Sequence, residues 1–168
     1  MIKTSSPSTA IEFYLEAIDI YETEGKERYC VDIFKNLLEI YINLKKVDEA
    51  VELLKKEIKF FVNLQQNHNA EKCICSVMIL HLSRDDPVSA DKFFMENAGV
   101  VDYSISEVGR ASGSLLQAFK DRDGEAFENS KKSNHLRYLE PSIVRLLRSI
   151  TVGGGNGGGN TEGEDDLF

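Results

Sequence analysis

The stretch LKKVDEAVELLKKEIKFFVNL, residues 44–64, decides the fold. Its apolar residues recur every three to four positions around a small residue, Ala50, which is the spacing of an amphipathic helix. Counting 40 residues from Ala50 in either direction leads to Ala10 and Ala90. Each of the three alanines is followed four residues later by an aromatic residue or a leucine. Three copies at one period indicate a repeated helical unit. We expect the three alanines to be buried where helices of adjacent hairpins cross.

Each alanine helix follows a second amphipathic segment, so that the predicted unit is a helix, a tight turn and another helix. In RYCVDIFKNLLEIYINLKK, residues 28–46, the apolar positions again follow one helical face. No long stretch alternates apolar and polar residues with the period of a strand. We therefore predict an all-α fold of tetratricopeptide-like antiparallel helix hairpins, an α-solenoid, that ends in a small helical bundle. Helices are predicted at roughly residues 9–25, 28–44, 48–66, 69–84, 87–98, 104–121, 124–132 and 136–151.

Residues that favour helix ends agree with this division. Thr9 and Glu12 have the spacing of a capping box, and Asp86 followed by Pro87 is typical of the first residues of a helix. Pro141 lies inside the last predicted helix and is expected to kink or split it. The boundaries are accordingly predicted to within a few residues.

The first repeat looks incomplete. A stacked array normally has a polar cap at each end. Residues 11–21 correspond to the second helix of a pair, and the first helix of that pair would lie before Met1. We expect the visible start of the chain to be a cut. The apolar flank of this helix should then be exposed, and the chain should be less stable or more self-associating than a longer form.

Length, composition and charge exclude several classes of protein. A chain of 168 residues with 42% hydrophobic content can bury one core, so a single helical domain is predicted at residues 1–152. The net charge of −8 argues against sequence-independent binding of nucleic acid, which requires a basic face. No apolar run reaches the roughly 18 residues that span a bilayer, and the N-terminus lacks the apolar stretch of a signal peptide. A cytoplasmic location is expected.

Catalytic and metal-binding patterns were not found in the sequence. It has no phosphate-binding glycine loop, nucleophile elbow or zinc-protease helix, so no enzyme and no cofactor are predicted. Cys30, Cys73 and Cys75 are an odd number of cysteines without a matching ligand pair. We expect them to be small buried residues and predict no metal site. His81 lies on an apolar face and is expected to be a core or groove histidine.

Residues 153–168 differ in composition from the rest of the chain and are predicted to be a flexible, glycine-rich, acidic tail that is disordered when alone. The final residues, EGEDDLF, combine carboxylates with two apolar side chains. Two interpretations are open. The segment is either a solubilising end or a docking motif in which the carboxylates meet a basic surface and Leu167 and Phe168 enter an apolar notch.

The chain resembles a known family over residues 7–150. The helix pairs, the segment GSLLQAFKDRDGEAFENSKKS at residues 113–133 and the closing EDDLF are similar to the soluble NSF attachment proteins, or SNAPs. The stretch at residues 8–57, which begins STAIEFYLEAIDIY, most resembles the gamma class. The resemblance is collinear and covers about the C-terminal half of a family member.

The resemblance implies a cytosolic adaptor that associates peripherally with membranes through its partners. Such adaptors bind SNARE (syntaxin) complexes and recruit the hexameric ATPase NSF, which disassembles these complexes in vesicle-mediated protein transport. The positions implied to contact NSF are Asp121, Asp123, Glu125, Glu164, Asp165, Asp166 and Leu167. The positions assigned to the SNARE-facing surface are Lys45, Lys46, Lys72 and Arg84. Lys120 departs from the pattern, because other members often carry an acidic residue there.

A second hypothesis is a generic tetratricopeptide-like scaffold whose groove binds a peptide or another protein subunit. The 40-residue period supports this hypothesis as well as it supports the adaptor. Sedimentation together with NSF, with and without SNARE complexes, distinguishes the two.

Overall fold

The computed structural model describes residues 6–152, and within this range the regular structure is helical with no strand. The α-helices are α1 (Pro7–Thr23), α2 (Val31–Asn43), α3 (Val47–Asn63), α4 (Asn67–Ser83), α5 (Pro87–Glu96), α6 (Glu107–Lys120), α7 (Gly124–Ser130) and α8 (Pro141–Ser149). Short 3₁₀ helices lie at Glu27–Cys30, Val100–Ile105 and Asn134–Leu136. The predicted all-α fold of packed hairpins is confirmed. The predicted tail lies outside the described residues.

One turn geometry recurs at every connection between α1 and α5. The residue two positions after each helix has a left-handed backbone, and these residues are Gly25, Lys45, Gln65 and Asp85, with φ of 69°, 58°, 60° and 57°. The next residue donates its N–H to the carbonyl five residues earlier, as Lys26 does to Tyr21 at 2.8 Å. This bond closes the end of the helix in a Schellman-type turn. Because the same turn follows each helix, the structural period is 20 residues, half of the predicted 40.

Small residues at the fourth position of the helices allow close packing. Ala50 and Ala90 are fully buried, as predicted, and Ala70 is a further buried alanine at the same position of α4. Cys30, which lies 20 residues before Ala50, is also fully buried. Ala10 is only half-buried, because α1 is the outer helix and packs mainly on α2 and the 3₁₀ helix that follows it. The prediction of burial was therefore wrong for Ala10.

Helix α4 is the centre of the molecule. It packs against α3, α5, α6 and α8, and the residues from Cys73 to Leu80 are all buried. A helix that is apolar on all sides is stable only when it is surrounded by other helices. Cys30, Cys73 and Cys75 are free and buried, as the sequence predicted.

The helix ends differ from the prediction at two places. Ser6, not Thr9, caps α1, because the Ser6 hydroxyl accepts the N–H of Thr9 at 3.3 Å and Pro7 is the first helical residue. Asp86 caps α5 as predicted by accepting the Ser89 N–H at 3.0 Å, and this hydrogen bonding lowers the pKa of Asp86. Pro141 splits the last predicted helix. The preceding residue has extended ψ, as proline requires, and α8 begins only at Pro141.

The connection between α5 and α6 does not follow the repeat. Val101 and Asp102 are successive residues with positive φ, 46° and 56°. Tyr103 then enters the core and bonds the Ser112 hydroxyl at 2.7 Å. Gly109 of α6 lies so close to the chain that an added Cβ would overlap the Tyr103 carbonyl. The C-terminal bundle is thus joined to the hairpin stack by a close backbone contact.

Candidate partner-binding surfaces

The turn between α6 and α7 brings together three predicted site residues, Asp121, Asp123 and Glu125, and all three are exposed. Asp121 ends α6 and accepts a hydrogen bond from the Gln117 amide at 2.9 Å. Asp123 caps α7 by accepting the Ala126 N–H at 3.0 Å. Glu125 lies in the first turn of α7. Negative side chains are favourable at a helix N-terminus, so Asp123 and Glu125 stabilise the helix while facing solvent.

Basic residues beside this acidic turn pair with the neighbouring hairpin. The Arg122 guanidinium lies 5.0 Å from the centre of the Phe119 ring and 3.0 Å from Asp85, in the turn between α4 and α5. Lys120 lies 3.4 Å from Asp91 of α5. Lys120, which departs from the family pattern, therefore pairs across the contact between α6 and α5.

The end of α8 lies at the same end of the molecule. Ser149 and Thr151 line an open groove of about 850 Å³ together with Arg122 of the acidic turn. The Lys131 ammonium, at the end of α7, donates to the Ile150 carbonyl and fixes this segment. The chain therefore leaves the described structure near the α6–α7 turn. The predicted tail residues Glu164, Asp165, Asp166 and Leu167 lie outside the described residues.

The structure gathers three of the four predicted SNARE-facing residues and separates the fourth. Lys45 and Lys46 lie in the α2–α3 turn, and Arg84 ends α4 and bonds Asp48 at 2.9 Å. Lys45 and Arg84 line the same 850 Å³ groove as Arg122. Lys72 lies twelve residues before Arg84 on α4, which corresponds to about 18 Å along the helix axis. The four residues do not form one continuous patch.

A further basic group, not selected from the sequence, lies on α3. Lys55, Lys56 and Lys59 line an open groove of about 1340 Å³. Lys55 pairs with Glu52 at 3.3 Å, and Lys56 pairs with Glu22 of α1 at 2.8 Å. The i, i+4 spacing of Glu52 and Lys56 predicts a pair within an ordinary solvated face of α3, and the structure shows instead that Lys56 pairs across to α1. The spacing within α3 cannot predict the groove, because its other walls come from α1 and α5.

Glu57 is a buried carboxyl group that the sequence analysis missed. It is 7% exposed, accepts a weak hydrogen bond from the Cys73 thiol at 3.5 Å, and its Oε2 has no partner among the described residues. Burial, opposed by the Cys73 bond and reinforced by Glu140, raises the pKa of Glu57 to about 8. The signal was present, because Leu54, Glu57 and Phe61 have the spacing of one helical face.

His81 and the cysteines show no arrangement for metal binding. His81 is half-buried, and burial followed by the nearby charge of Arg84 lowers its pKa. Among the described residues, no group of three or more histidine, cysteine, aspartate or glutamate side chains is placed to hold a metal ion. Of the helices in this part of the chain, none combines the length and apolar character needed to cross a membrane.

Comparison with known proteins identifies the family. The model of the soluble NSF attachment protein family matches residues 1–99, which contain α1–α5. The gamma-soluble NSF attachment protein of Dictyostelium discoideum is 24% identical over 142 residues, covering 84% of this chain and 44% of the relative. That of Arabidopsis thaliana is 23% identical over 147 residues, covering 88% and 50%.

The chain spans about half the length of the curated relatives it matches. The region matched by the family model includes the basic residues Lys45, Lys46, Lys72 and Arg84 and ends before the α6–α7 turn. The match covers more than half of the 168 residues and confirms the resemblance that the sequence suggested. The chain belongs to the soluble NSF attachment protein family.

Proposed function

We propose that this protein is an adaptor that binds SNARE complexes and recruits and stimulates the ATPase NSF, for SNARE disassembly in vesicle-mediated transport. Family membership is the observation that carries the proposal, because the matched relatives are by name NSF attachment proteins. In this proposal the chain supplies binding surfaces and the catalysis belongs to the ATPase. It meets membranes peripherally, through its partners.

The ATPase-facing surface is proposed to consist of the α6–α7 turn and the C-terminal tail. Asp121, Asp123 and Glu125 are exposed on the turn, and α8 ends beside it. The tail adds four carboxylates within residues 161–168. A short tether holds such a segment near a bound partner at an effective concentration of roughly millimolar. Both sets of carboxylates would then meet one basic surface.

The SNARE-facing surface is proposed to centre on Lys45, Lys46 and Arg84, which lie at one end of the stacked hairpins. Lys72 would contact the complex separately, because it lies about 18 Å away along α4. These contacts involve exposed charges, and screening acts beyond about 8 Å at physiological salt. Binding should therefore weaken as the salt concentration rises.

The test measures NSF ATP hydrolysis in the presence of SNARE complexes at low and at physiological salt. One variant lacks residues 164–168, and another carries Asp121→Asn, Asp123→Asn and Glu125→Gln. Asparagine replaces Asp123 in this variant because it caps a helix about as well as aspartate. Both variants should stimulate less than the intact chain while helix content stays unchanged. Melting should be unchanged in the shortened chain and only slightly lower in the triple variant, which loses the negative charge at the α7 N-terminus. The triple variant Glu12→Gln, Glu16→Gln and Glu96→Gln removes three charges from exposed positions of α1 and α5 and is the control for loss of charge.

Two outcomes would change the proposal. If the intact chain is active and the shortened chain stimulates equally at low salt, the tail has only the solubilising role. If the intact chain fails to sediment with NSF whether or not SNARE complexes are present, the adaptor role is wrong and the scaffold hypothesis takes its place.

A further inference from the structure

An open apolar groove lies between the first and third helices. Helices α1 and α3 both pack on α2, and the space between them is a groove of about 440 Å³. Its floor consists of Ile18, Tyr41 and Leu53, which are buried beneath it. Leu15 forms one side of the groove and is 45% exposed. Ligand sites in proteins commonly have volumes of about 300–1,000 Å³, so this groove can hold several side chains.

The rim of the groove is rich in carboxylates, which are Asp19, Glu22, Asp48, Glu49 and Glu52. Among the described residues that line it, Lys56 is the one basic residue, and it pairs with Glu22 at 2.8 Å. Basic side chains just outside the lining pair with three more: Asp48 with Arg84 at 2.9 Å, Glu49 with Lys46 at 3.9 Å and Glu52 with Lys55 at 3.3 Å. These pairs are exposed and each stabilises the fold by at most about 1 kcal/mol, so a basic ligand can compete for the carboxylates. Burial, and to a smaller extent the charge of Glu49, raises the pKa of Tyr41 in the floor. An apolar floor with a negative rim favours an apolar ligand that carries positive charge.

We propose that this groove binds a basic amphipathic helix of a partner protein. Leucine-like side chains of the partner would cover Leu15 and the floor, and lysine or arginine side chains on either side would meet the carboxylates. The lining of α1 extends from Leu15 to Glu22, about 10 Å along the axis. That length matches two turns of a helix, which presents apolar anchors at positions i, i+3, i+4 and i+7.

The charge of the rim favours a basic helix of a partner over the chain's own acidic C-terminal residues. The chain's own residues 162–166 carry four carboxylates and no basic residue, so the rim repels them. The groove lies on α1–α3 and has the opposite sign to the predicted SNARE-facing residues, so the inference goes beyond the proposed adaptor function. Loss of NSF recruitment and loss of binding in this groove can therefore be observed independently.

The probe is a short synthetic helix of leucine and lysine with leucines at i, i+3, i+4 and i+7, labelled with a fluorophore. Its binding to the full chain is measured by anisotropy at about 50 mM and about 300 mM salt. Two control peptides have the same leucines with glutamate in place of lysine, and the same composition in scrambled order. The lysine helix should bind, more weakly at high salt, and both controls should bind at least about tenfold more weakly.

Matched variants locate the binding site on the protein. Leu15→Ser should weaken binding by about tenfold, since it removes apolar surface that the peptide covers. Ile20→Ser is its control, because Ile20 lies on the other side of the same helix and is 47% exposed. Asp19→Asn with Glu52→Gln should weaken binding by a similar factor. Glu96→Gln with Glu107→Gln removes the same charge at exposed positions outside every proposed binding surface and should change binding less than about twofold.

Three outcomes would overturn the inference. Equal weakening by Leu15→Ser and Ile20→Ser would place the peptide outside the groove. Equal weakening by the two double variants would show attraction to the net charge of the protein rather than to this rim. Self-association of the chain that is lost in Leu15→Ser would make a second copy of the chain the occupant.

Discussion

Helices α1–α5 follow one another through turns of one geometry, whereas α5 and α6 are joined by the 3₁₀ segment Val100–Ile105, which contains two successive residues of positive φ. In the first region the left-handed residue recurs every 20 positions. In the second region the chain is fixed by particular contacts, such as that of Gly109 with the Tyr103 carbonyl. The α6–α7 turn has the turn geometry of the first region, with Arg122 at φ 55° and the Asp123 N–H bonded to the Ala118 carbonyl, but it lies outside the 20-residue period. The first region is therefore built on a period, and the second depends more on individual contacts.

The difference shows what each region tolerates. The left-handed positions of the first region hold glycine, lysine, glutamine and aspartate, although this conformation costs an L-residue roughly 1–2 kcal/mol. The helices that follow these turns bury small residues, Ala50, Ala70 and Ala90, at the fourth position of α3, α4 and α5. In the second region Gly109 lies so close to the Tyr103 carbonyl oxygen that there is no room for one added carbon atom. Substitutions should therefore act gradually in the hairpin stack and abruptly in the C-terminal bundle.

The largest effect is expected for Gly109→Ala. The new methyl group would overlap the Tyr103 carbonyl, which is backbone and moves only with its chain. Overpacking in cores typically costs about 1–3 kcal/mol, and overlap with backbone places this variant at or above the upper end of that range. Urea unfolding followed by circular dichroism measures the loss.

Gly113→Ala is the control within the same helix. An added Cβ there would meet only the Phe94 ring, at an ordinary 3.8 Å. Alanine is favoured over glycine in helices by about 0.8–1.0 kcal/mol, so this variant should be as stable as the native chain or more stable. If the two substitutions destabilise equally, the close contact at Gly109 does not hold the bundle.

The next effect is expected for Ala50→Leu in the hairpin stack. Ala50 is fully buried, so three further heavy atoms should overpack the site and cost roughly 1–3 kcal/mol. Ala10→Leu places the same side chain at the same helical position of the outer helix, where the alanine is only half-buried. Thermal unfolding of both variants should show a clear loss for Ala50→Leu and a smaller change for Ala10→Leu. Equal losses would argue against the repeat.

Much of the fold could be predicted from the sequence, because apolar spacing identified the α-helices found within residues 6–152. The 20-residue period could not be predicted from the left-handed positions, because they hold four different kinds of residue: glycine, lysine, glutamine and aspartate. The acids of the α6–α7 turn are neighbours in the sequence, so their proximity was predictable. The proximity of Lys45 to Arg122 depends on how separate hairpins stack. Burial of Glu57 likewise depends on surrounding helices, and a lone glutamate is normally solvated.

Glu57 tests the junction of the two regions, because Glu140, just before α8, contributes to its raised pKa. The pKa is about 8 in the folded chain against an ordinary value of 4.5. Between these values the folded state holds a proton that the unfolded state has lost. The free energy of unfolding should therefore fall as pH rises through this window, by at most about 1.4 kcal/mol per pH unit, and level off above pH 8.

Glu57→Gln removes this titration while keeping an acceptor for the Cys73 thiol. The variant should match the native chain to within about 1 kcal/mol near pH 5 and exceed its stability by up to about 4 kcal/mol near pH 9. Urea unfolding at both pH values measures the difference. A native chain and variant with parallel pH profiles would show that the carboxyl group is solvated and that the two regions do not enclose it.

The smallest effect is expected for Gln65→Gly in the α3–α4 turn. Glycine removes the left-handed cost of roughly 1–2 kcal/mol but loses about 0.5–1 kcal/mol through the greater freedom of the unfolded chain. The net gain should be about 0.5–1 kcal/mol, measured as a higher urea midpoint with an unchanged slope. Gln65 is exposed and outside the proposed binding residues, so only the backbone changes.

Two controls test whether the left-handed backbone is the cause. Gln66→Gly, one residue later at φ −97°, lacks the left-handed gain and should be neutral or destabilising. Gly25→Ala, at the first turn of the series, should reverse the effect of Gln65→Gly by placing a Cβ at φ 69°. If glycine fails to stabilise position 65 while alanine is harmless at position 25, the turns between α1 and α5 do not share one geometry.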